Sequence, residues 1–379
     1  MDWLTGGKRS EVKHLIAQLA DSTLRDRAAH ELIRLDTDAL PHLIEALQTS
    51  DVNLLPQLQQ ILAQMPSSAP ALLKLISNAH PSLRARAAEV FAINKDKTAV
   101  PALIAALQGE YFSVRSRAAL ALGKIGNADA VQPLLFALKD KEAEVRIAAC
   151  LALGAFKDPT TFENLADILL DDPVIEVRQA AAKALGNTSH PNAIPYLMEA
   201  LRDSFWWYER ESAADDLLRA IHKMGNAAVG PLLEALQDKE AEVRKFAARL
   251  LGRIGDPRSM EPLAMAQYDM HHEVGNASAE ALALFDAPAI PVLIEALSHP
   301  ESWIRVHAAR ALGTIDDPQV TSVLLELLDD PQREVRKEVI EALGKRRDRS
   351  ALKALQNIAH DRKDRELAQL AKKVVENFR

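Results

Sequence analysis

The residues best suited to bind a metal are two histidines followed by a glutamate, His271, His272 and Glu273. Imidazole and carboxylate groups are ligands that non-haem iron accepts, but such a site needs several of them to converge. A second His-Glu pair, at residues 30 and 31, lies within a predicted helix, where we expect it to turn partly towards the core. We therefore predict no metal and no cofactor, and interpret residues 271–273 as a solvated turn that is only a weak candidate site.

An aromatic run followed by an arginine is the strongest candidate for partner binding. Pro195 and Pro231 lie 36 positions apart, and the excess over a spacing of about 31 falls at residues 204–210. Exposed Trp, Tyr and Arg are typical of interface hot spots, and four consecutive aromatic side chains cannot all face one core. The alternative is that they fill a groove made by the insertion and fix a bend. The predicted partner-binding residues of this run are Phe205, Trp206, Trp207, Tyr208 and Arg210.

Other chemistry is not indicated by the sequence. The single cysteine, Cys150, follows an Ala-Ala pair on a helix face that we predict to be buried. One cysteine excludes an intrachain disulfide framework and suits a reducing compartment. The phosphate-binding pattern Gly-x-x-x-x-Gly-Lys and the zinc-protease pattern His-Glu-x-x-His do not occur. We therefore predict a non-catalytic, cytoplasmic protein.

Composition narrows the class of partner. The formal net charge is −7 and the sequence pI is about 5.9, which argues against binding to a phosphate backbone. Hydrophobic residues make up 48% of the chain, yet no apolar run approaches the roughly 18 residues that a membrane span needs. The first residues, MDWLTGGKRSEV, lack the apolar core of a secretory signal. We expect protein partners rather than a membrane or a nucleic acid.

A repeat that recurs along the chain must position these residues. Residues 114–138 read VRSRAALALGKIGNADAVQPLLFAL, and a similar series of Val-Arg, Ala-Ala and Ala-Leu-Gly returns about every 31 residues. Glycine replaces the arginine in one copy, at Gly275. Together with weaker copies this gives about eleven units, in which the clear openers are Arg25, Arg84, Arg115, Arg146, Arg178, Arg244, Arg305 and Arg336.

Each unit is predicted to form two short helices. A proline such as Pro101 or Pro133 introduces a Leu-rich first helix, because proline costs little in a first turn. The second helix is predicted to run from the Val-Arg pair to the Ala-Leu-Gly series, with the glycine as its C-terminal stop. Asp-Pro dipeptides, such as the one at Asp158, are predicted to mark turns between units.

With these Val-Arg, Ala-Ala and Ala-Leu-Gly units and their Pro-Leu first helices, the chain resembles HEAT-like repeats of the short type first named for phycobilisome lyases. The resemblance extends from about Glu11 to Gly344. It implies an all-α fold, an α-solenoid wound as a right-handed superhelix of about eleven helical hairpins. It also implies that the second helices line a concave face.

The variable positions of the second helices predict a binding surface on that face. Counted from the arginine, positions three, six and seven are Ala, Ala and Leu, which we expect to be buried. Positions one, two and five vary and share one side of the helix. They are apolar in the middle of the chain and charged later, which suits a protein-binding groove, although an ordinary helix surface is the alternative. The predicted partner-binding residues here are Leu120, Ile147, Leu151, Lys183 and Arg249.

The two ends differ from the repeats. We predict a leader over residues 1–10, a repeat solenoid over 11–344 with the aromatic insertion at 204–210, and capping helices over 345–379. The last segment holds 11 Lys and Arg against 5 Asp and Glu. Such a basic end could meet an anionic partner, but a solvated capping repeat is the simpler interpretation.

The resemblance also implies two enzymatic alternatives to a protein-binding scaffold. Deoxyhypusine hydroxylase is similar in fold and binds two irons through repeated His-Glu pairs, a pattern that the two pairs here do not reproduce. Bilin-lyase subunits share the repeat type, and stacking on Trp206, Trp207 and Tyr208 could hold a tetrapyrrole. We predict a scaffold or adaptor and keep these two enzyme classes as the alternative.

Overall fold

The computed structural model describes residues 2–203, 211–361 and 363–378, and their side chains except those of 2–9 and 211–213. In these ranges all regular elements are helices, as an α-solenoid requires. They form two compact units, residues 1–193 and 194–379. In each unit, odd-numbered first helices alternate with even-numbered second helices.

The first unit contains the helices α1 to α12, which pair into six hairpins in its described part. Their bounds are α1 Asp2–Gln18, α2 Arg25–Leu35, α3 Leu40–Ala46, α4 Leu54–Gln64, α5 Ser68–Asn78, α6 Pro81–Asn94, α7 Val100–Ala106, α8 Phe112–Ile125, α9 Val131–Ala137, α10 Ala143–Phe156, α11 Phe162–Asp171 and α12 Ile175–Thr188.

The second unit contains α13 to α24 in its described part. Their bounds are α13 Ile194–Arg202, α14 Glu211–His222, α15 Val229–Ala235, α16 Ala241–Ile254, α17 Met260–Ala266, α18 His272–Ala283, α19 Ile290–Ala296, α20 Ser302–Leu312, α21 Pro318–Glu326, α22 Arg333–Arg346, α23 Leu352–Ala359 and α24 Arg365–Glu376. Among the described helices none is long and apolar enough to cross a bilayer.

Turns with an acidic or amide cap connect one hairpin to the next. The side chain of Asp158 accepts a hydrogen bond from the Thr160 N–H, and Asp256 does the same for Arg258. This satisfies an N–H that the start of a helix leaves free. The Asp-Pro dipeptides therefore lie at turns between repeats, as predicted.

The repeated Ala and Leu positions form the core. Three, six and seven positions after Arg115, the side chains of Ala118, Ala121 and Leu122 have no exposed surface. Because the small side chains let α8 pack closely against α6 and α10, the second helices form a continuous layer within the unit. Leu103 and Leu134 of the first helices cover that layer.

The prediction that glycine ends the second helix holds for Gly313, which follows the last residue of α20, but is wrong for most copies. Gly123 lies inside α8, which continues to Ile125, and the residue that leaves the helix is Gly126 with a φ of 72°. A Cβ atom on Gly123 would lie 2.5 Å from the Cα of Ala152 on the next second helix. Gly154 has the same relation to Ala184. The glycine is required by close helix packing, not by the end of the helix.

The helix bounds also bear on the predicted segments. Helix α1 starts at Asp2, so residues 2–10 belong to the same helix as the residues that follow them. Helix α22 continues to Arg346, so its last turn crosses the predicted limit at 344. The hairpin of α23 and α24 follows it.

Candidate protein-binding surface

The arginine that opens α8 links that helix to the next hairpin. Arg115 Nε donates to Asp140 Oδ2 at 2.6 Å, and its Nη2 donates to Oδ1 at 2.8 Å. Its Nη1 donates to the carbonyl oxygens of Gly109 and Glu110 in the turn before its own helix. We call this arrangement the Arg–Asp clamp. It recurs at Arg146 with Asp172, Arg244 with Asp269, and Arg305 with Asp330.

The aspartate of the clamp also shapes its own turn. Asp140 Oδ1 accepts a hydrogen bond from the Glu142 N–H at 3.0 Å. Burial alone would raise the pKa of Asp140, but the hydrogen bonds from Arg115 and Glu142, together with the charge of Arg115, keep that pKa below its ordinary value. The carboxylate therefore stays ionised, and each clamp fixes the position of one second helix relative to the next.

In the first unit, the clamped second helices present an apolar row, defined as Leu120, Ile147 and Leu151. Leu120 and Leu151 hold the same position on the adjacent helices α8 and α10, five residues after the clamp arginine. All three side chains are half-buried, so each keeps part of its surface in water. An ion pair between Glu89 and Arg117, 2.9 Å long, lies on the α6 side of the row.

Lys183 holds the equivalent position on α12, beyond the other end of the row, and is exposed. The same repeat position is therefore leucine on α8 and α10 and lysine on α12, so the second-helix surface of the first unit changes from apolar to charged along the chain. The structure places the predicted residues of this unit on three successive second helices, α8, α10 and α12.

The charged second-helix surface of the second unit is largely paired within itself. Lys245 Nζ donates to Glu273 at 2.8 Å, and Arg310 forms two hydrogen bonds with Glu338, at 3.0 and 2.6 Å. Arg249 is exposed, with its guanidinium carbon 5.8 Å from the centre of the Phe246 ring. Because most of these charges neutralise one another, the apolar row is the more favourable docking surface.

The weak metal candidates engage three different neighbours. Arg244 Nη2 lies 3.1 Å from His271 Nδ1, Glu273 pairs with Lys245, and the ring of His272 lies 4.4 Å from that of Trp303. In the described parts of the chain, no three or more His, Cys, Asp and Glu residues are grouped so as to hold a metal ion.

His30 does not turn towards the core. It is exposed on α2, where its Nδ1 lies 2.6 Å from the carbonyl oxygen of Asp26. The lone cysteine is buried as predicted, and burial raises the pKa of the Cys150 thiol well above its ordinary value.

The aromatic run cannot be placed on either surface. Its predicted partner-binding residues lie outside the described residues: Phe205, Trp206, Trp207, Tyr208 and Arg210. Sequence reasoning also missed two features that the structure shows. The clamp aspartates stand six residues before the opener position of the following unit, at Arg146, Arg178, Gly275 and Arg336, a signal that alignment of the repeats would have revealed. The other feature is that Trp303 packs between His272 and His307.

Stacked helical hairpins joined by repeated clamps define the protein as an α-solenoid repeat protein. The sequence profile of HEAT repeats matches residues 69–144, 132–218, 216–283 and 290–375. These segments span most of the chain, which therefore belongs to the HEAT-repeat family. Comparison with curated protein sequences gives no match.

Solved structures with a similar fold include a karyopherin and importin beta. The karyopherin Kap121p, bound to the extreme C-terminus of the protein phosphatase Cdc14p, is 14% identical with a TM-score of 0.59, and the alignment covers 97% of this chain and 50% of that one. Importin beta is 13% identical with a TM-score of 0.55, and the alignment covers 97% and 63%. At these identities the likeness concerns the fold alone, and the chain spans about half the length of Kap121p.

Proposed function

We propose that the protein is a non-catalytic scaffold or adaptor that holds a protein partner against its second helices, on the concave face that the resemblance implies. The observation that carries this proposal is the apolar row. Leu120, Ile147 and Leu151 lie on two adjacent helices whose relative position the Arg–Asp clamp fixes. They remain partly exposed, whereas the aliphatic side chains of the core are buried.

The physical basis is a preformed surface that loses little freedom on binding. The row lies on α8 and α10, which the clamp and the contact of Gly123 with Ala152 hold together. Covering the remaining exposed area of these side chains would contribute a favourable free energy of roughly 25 cal/mol for each Å² of apolar surface removed from water. Rigid helices avoid the ordering cost that a flexible loop would incur. Glu89, Arg117 and Lys183 would form the polar rim around this apolar centre.

The fold comparison supports the same class of function. Structures of Kap121p show it bound to other proteins, the SUMO protease Ulp1p and Pho4p among them. A HEAT-repeat solenoid is therefore suited to hold a protein partner. We also propose a cytoplasmic location, and the short phycobilisome-lyase type as the repeat subclass, both on the sequence features given above.

The aromatic run would add a local anchor in the second unit. Trp206 and Trp207 are the kind of residues that dominate binding energy at interfaces. We propose that they contact the partner together with Phe205, Tyr208 and Arg210. The two tryptophans can be replaced by alanine without removing any clamp residue.

Site-specific photo-crosslinking tests the proposal. A photoreactive amino acid is placed at position 151 on the second-helix surface, or at 136 on the opposite, first-helix side, in cells of the source organism. Phe136 is the matched control because it is 77% exposed. We expect one discrete crosslinked protein from position 151 and none from position 136. We also expect the double variant Trp206→Ala and Trp207→Ala to lower the yield of the crosslinked product from position 151 while the helical content is retained. Crosslinks of equal yield from both positions, or none from 151, would contradict the proposal.

The enzymatic alternatives predict a different first observation. A di-iron hydroxylase would retain about two irons per chain, and a bilin-lyase subunit would bind a pigment with a visible absorption band. Metal analysis and an absorbance spectrum of the purified full chain separate these from a scaffold. Stoichiometric iron or a pigment band would replace our proposal with an enzyme, whereas a colourless protein without iron would favour the scaffold.

A further inference from the structure

Buried polar atoms without a partner are concentrated in one part of the second unit. In the described part of the chain, six buried side-chain N and O atoms have no hydrogen-bond partner, and five of them fall between residues 259 and 307. They are Ser259 Oγ, Gln267 Nε2 and Oε1, Ser278 Oγ and His307 Nδ1. Three of the four residues belong to one hairpin, residues 257–283, which contains α17 and α18. We call it the polar hairpin.

The positions of Gln267 and Ser278 are apolar in the other repeats, whereas the position of Ser259 is also polar at Ser68 and Thr161, whose hydroxyl groups donate to backbone carbonyl oxygens. Gln267, eight residues before the opener, is 2% exposed, and its counterparts include Leu107, Leu138, Leu236 and Leu297. Ser278 and Ser259 have no exposed surface, and their counterparts in both neighbouring hairpins are alanines. The polar hairpin therefore carries two buried polar side chains, Gln267 and Ser278, where the other repeats use apolar residues.

The Arg–Asp clamp is also missing at this hairpin, and both of its members are replaced. Gly275 stands in place of the arginine, and His299 stands in place of the aspartate of the following hairpin. His299 still caps its own turn by accepting the Glu301 N–H at 3.1 Å. The ring of Trp303 occupies the space beside Gly275, where a Cβ atom would lie 2.9 Å from Trp303 Cζ3.

The junctions before and after the one between α18 and α20 both carry the clamp. Arg244 and Asp269 clamp α16 to the turn before α18, and Arg305 and Asp330 clamp α20 to the turn before α22. Between α18 and α20, one side-chain hydrogen bond joins Arg310 Nη1 to Asn276 Oδ1 at 3.0 Å. That bond lies on the partly exposed surface, where a hydrogen bond contributes less than a buried bidentate pair.

We infer that the polar hairpin is a weak joint of the second unit, which opens locally more often than the hairpins on either side. An unsatisfied buried polar group stabilises the open state, because opening returns that group to water. The polar hairpin has several such groups and lacks a clamp to its C-terminal neighbour. Local opening of this kind draws on the least stable part of a structure.

The joint would let the second-helix surface of the second unit adjust its local geometry when a partner binds, a consequence that rests on the proposed function. The opening itself does not. It is a property of the free chain and can be measured without a partner, so failure of the scaffold proposal and failure of this inference are distinguishable.

Amide hydrogen exchange of the full chain, read by mass spectrometry, tests the inference. We expect the amides of α18 to exchange at least tenfold faster than those of α16 and α20. Gln267→Leu, which restores the apolar residue of the other repeats, is expected to slow α18 roughly tenfold, the lower end of what one unsatisfied polar group costs. The reverse change, Leu236→Gln in the preceding hairpin, is the matched control and is expected to speed exchange in α16.

Two results would overturn the inference. One is exchange in α18 that is no faster than in α16. The other is a Gln267→Leu variant with unchanged α18 exchange, which would mean that ordered water already satisfies the amide. Circular dichroism of each variant ensures that the comparison is made between folded proteins.

Discussion

Gly123→Ala is expected to destabilise the first unit, although alanine is the better helix former. In an exposed helix the change would gain about 1 kcal/mol. At Gly123 the added methyl group would lie 2.5 Å from the Cα and 2.7 Å from the Cβ of Ala152. Ordinary carbon contacts are about 3.5–4.0 Å long, so α8 and α10 would have to separate by about 1 Å. A backbone atom cannot rotate away, and overpacking of this kind costs about 1–3 kcal/mol.

The gain offsets part of that cost, so we expect a net loss of up to about 2 kcal/mol in the free energy of unfolding. Urea unfolding of the full chain, followed by circular dichroism, would show a lower midpoint. Gly230→Ala is the control, because Gly230 lies within α15 and a Cβ there would meet no atom within 4 Å. That variant should raise the midpoint. If both variants raised it, the close approach of second helices would not be what selects glycine, and our explanation of the repeat would be wrong.

Two further predictions concern charge. Asp140→Asn should lower the free energy of unfolding by about 2–4 kcal/mol in thermal denaturation, because it leaves Arg115 buried without a counter-ion. The control is Glu31→Gln, in an exposed pair with Arg34, which should change the free energy of unfolding by less than about 0.5 kcal/mol. Burial, with the charges of Arg310 and His272, lowers the pKa of His307 to about 4. The unfolded histidine titrates near 6.5, so His307 should have no effect on the pH dependence of stability above that pH. Between pH 6.5 and pH 4 the unfolded state binds the proton first, and the free energy of unfolding should fall by up to about 3 kcal/mol. His307→Phe should remove this part of the pH dependence in urea titrations, and an unchanged pH profile would contradict the prediction.

The sequence predicted the helical hairpins because the period of the repeat and its punctuation are local signals. Proline, the Asp-Pro turns and the Ala and Leu positions each act within one hairpin. The role of Gly123 could not be predicted in the same way, because it depends on how closely the next second helix approaches. A C-terminal stop and a close contact both favour glycine, and the spacing between helices decides between them.

The aspartate of the clamp was also not predicted, because it lies in a different hairpin from its arginine. The opener arginine was visible as a repeated residue, but its partner lies 25 residues later, in the next hairpin, for Arg115 and Asp140. Asp140, Asp269 and Asp330 are separated from their arginines by an entire first helix. A partner at that distance is recognised only when the repeats of the chain are aligned with one another.

That internal comparison is also what gives the polar hairpin its meaning. Gly275 was recognisable from the start as a missing arginine, but a missing clamp alone does not weaken a junction, because a buried ion pair can be replaced by apolar packing without loss. Trp303 supplies such packing beside Gly275. The weakness follows from Gln267 and Ser278, whose polar atoms remain unpaired where leucine and alanine would serve. Because the other hairpins carry apolar residues at these two positions, their replacement within one hairpin favours local opening over stability.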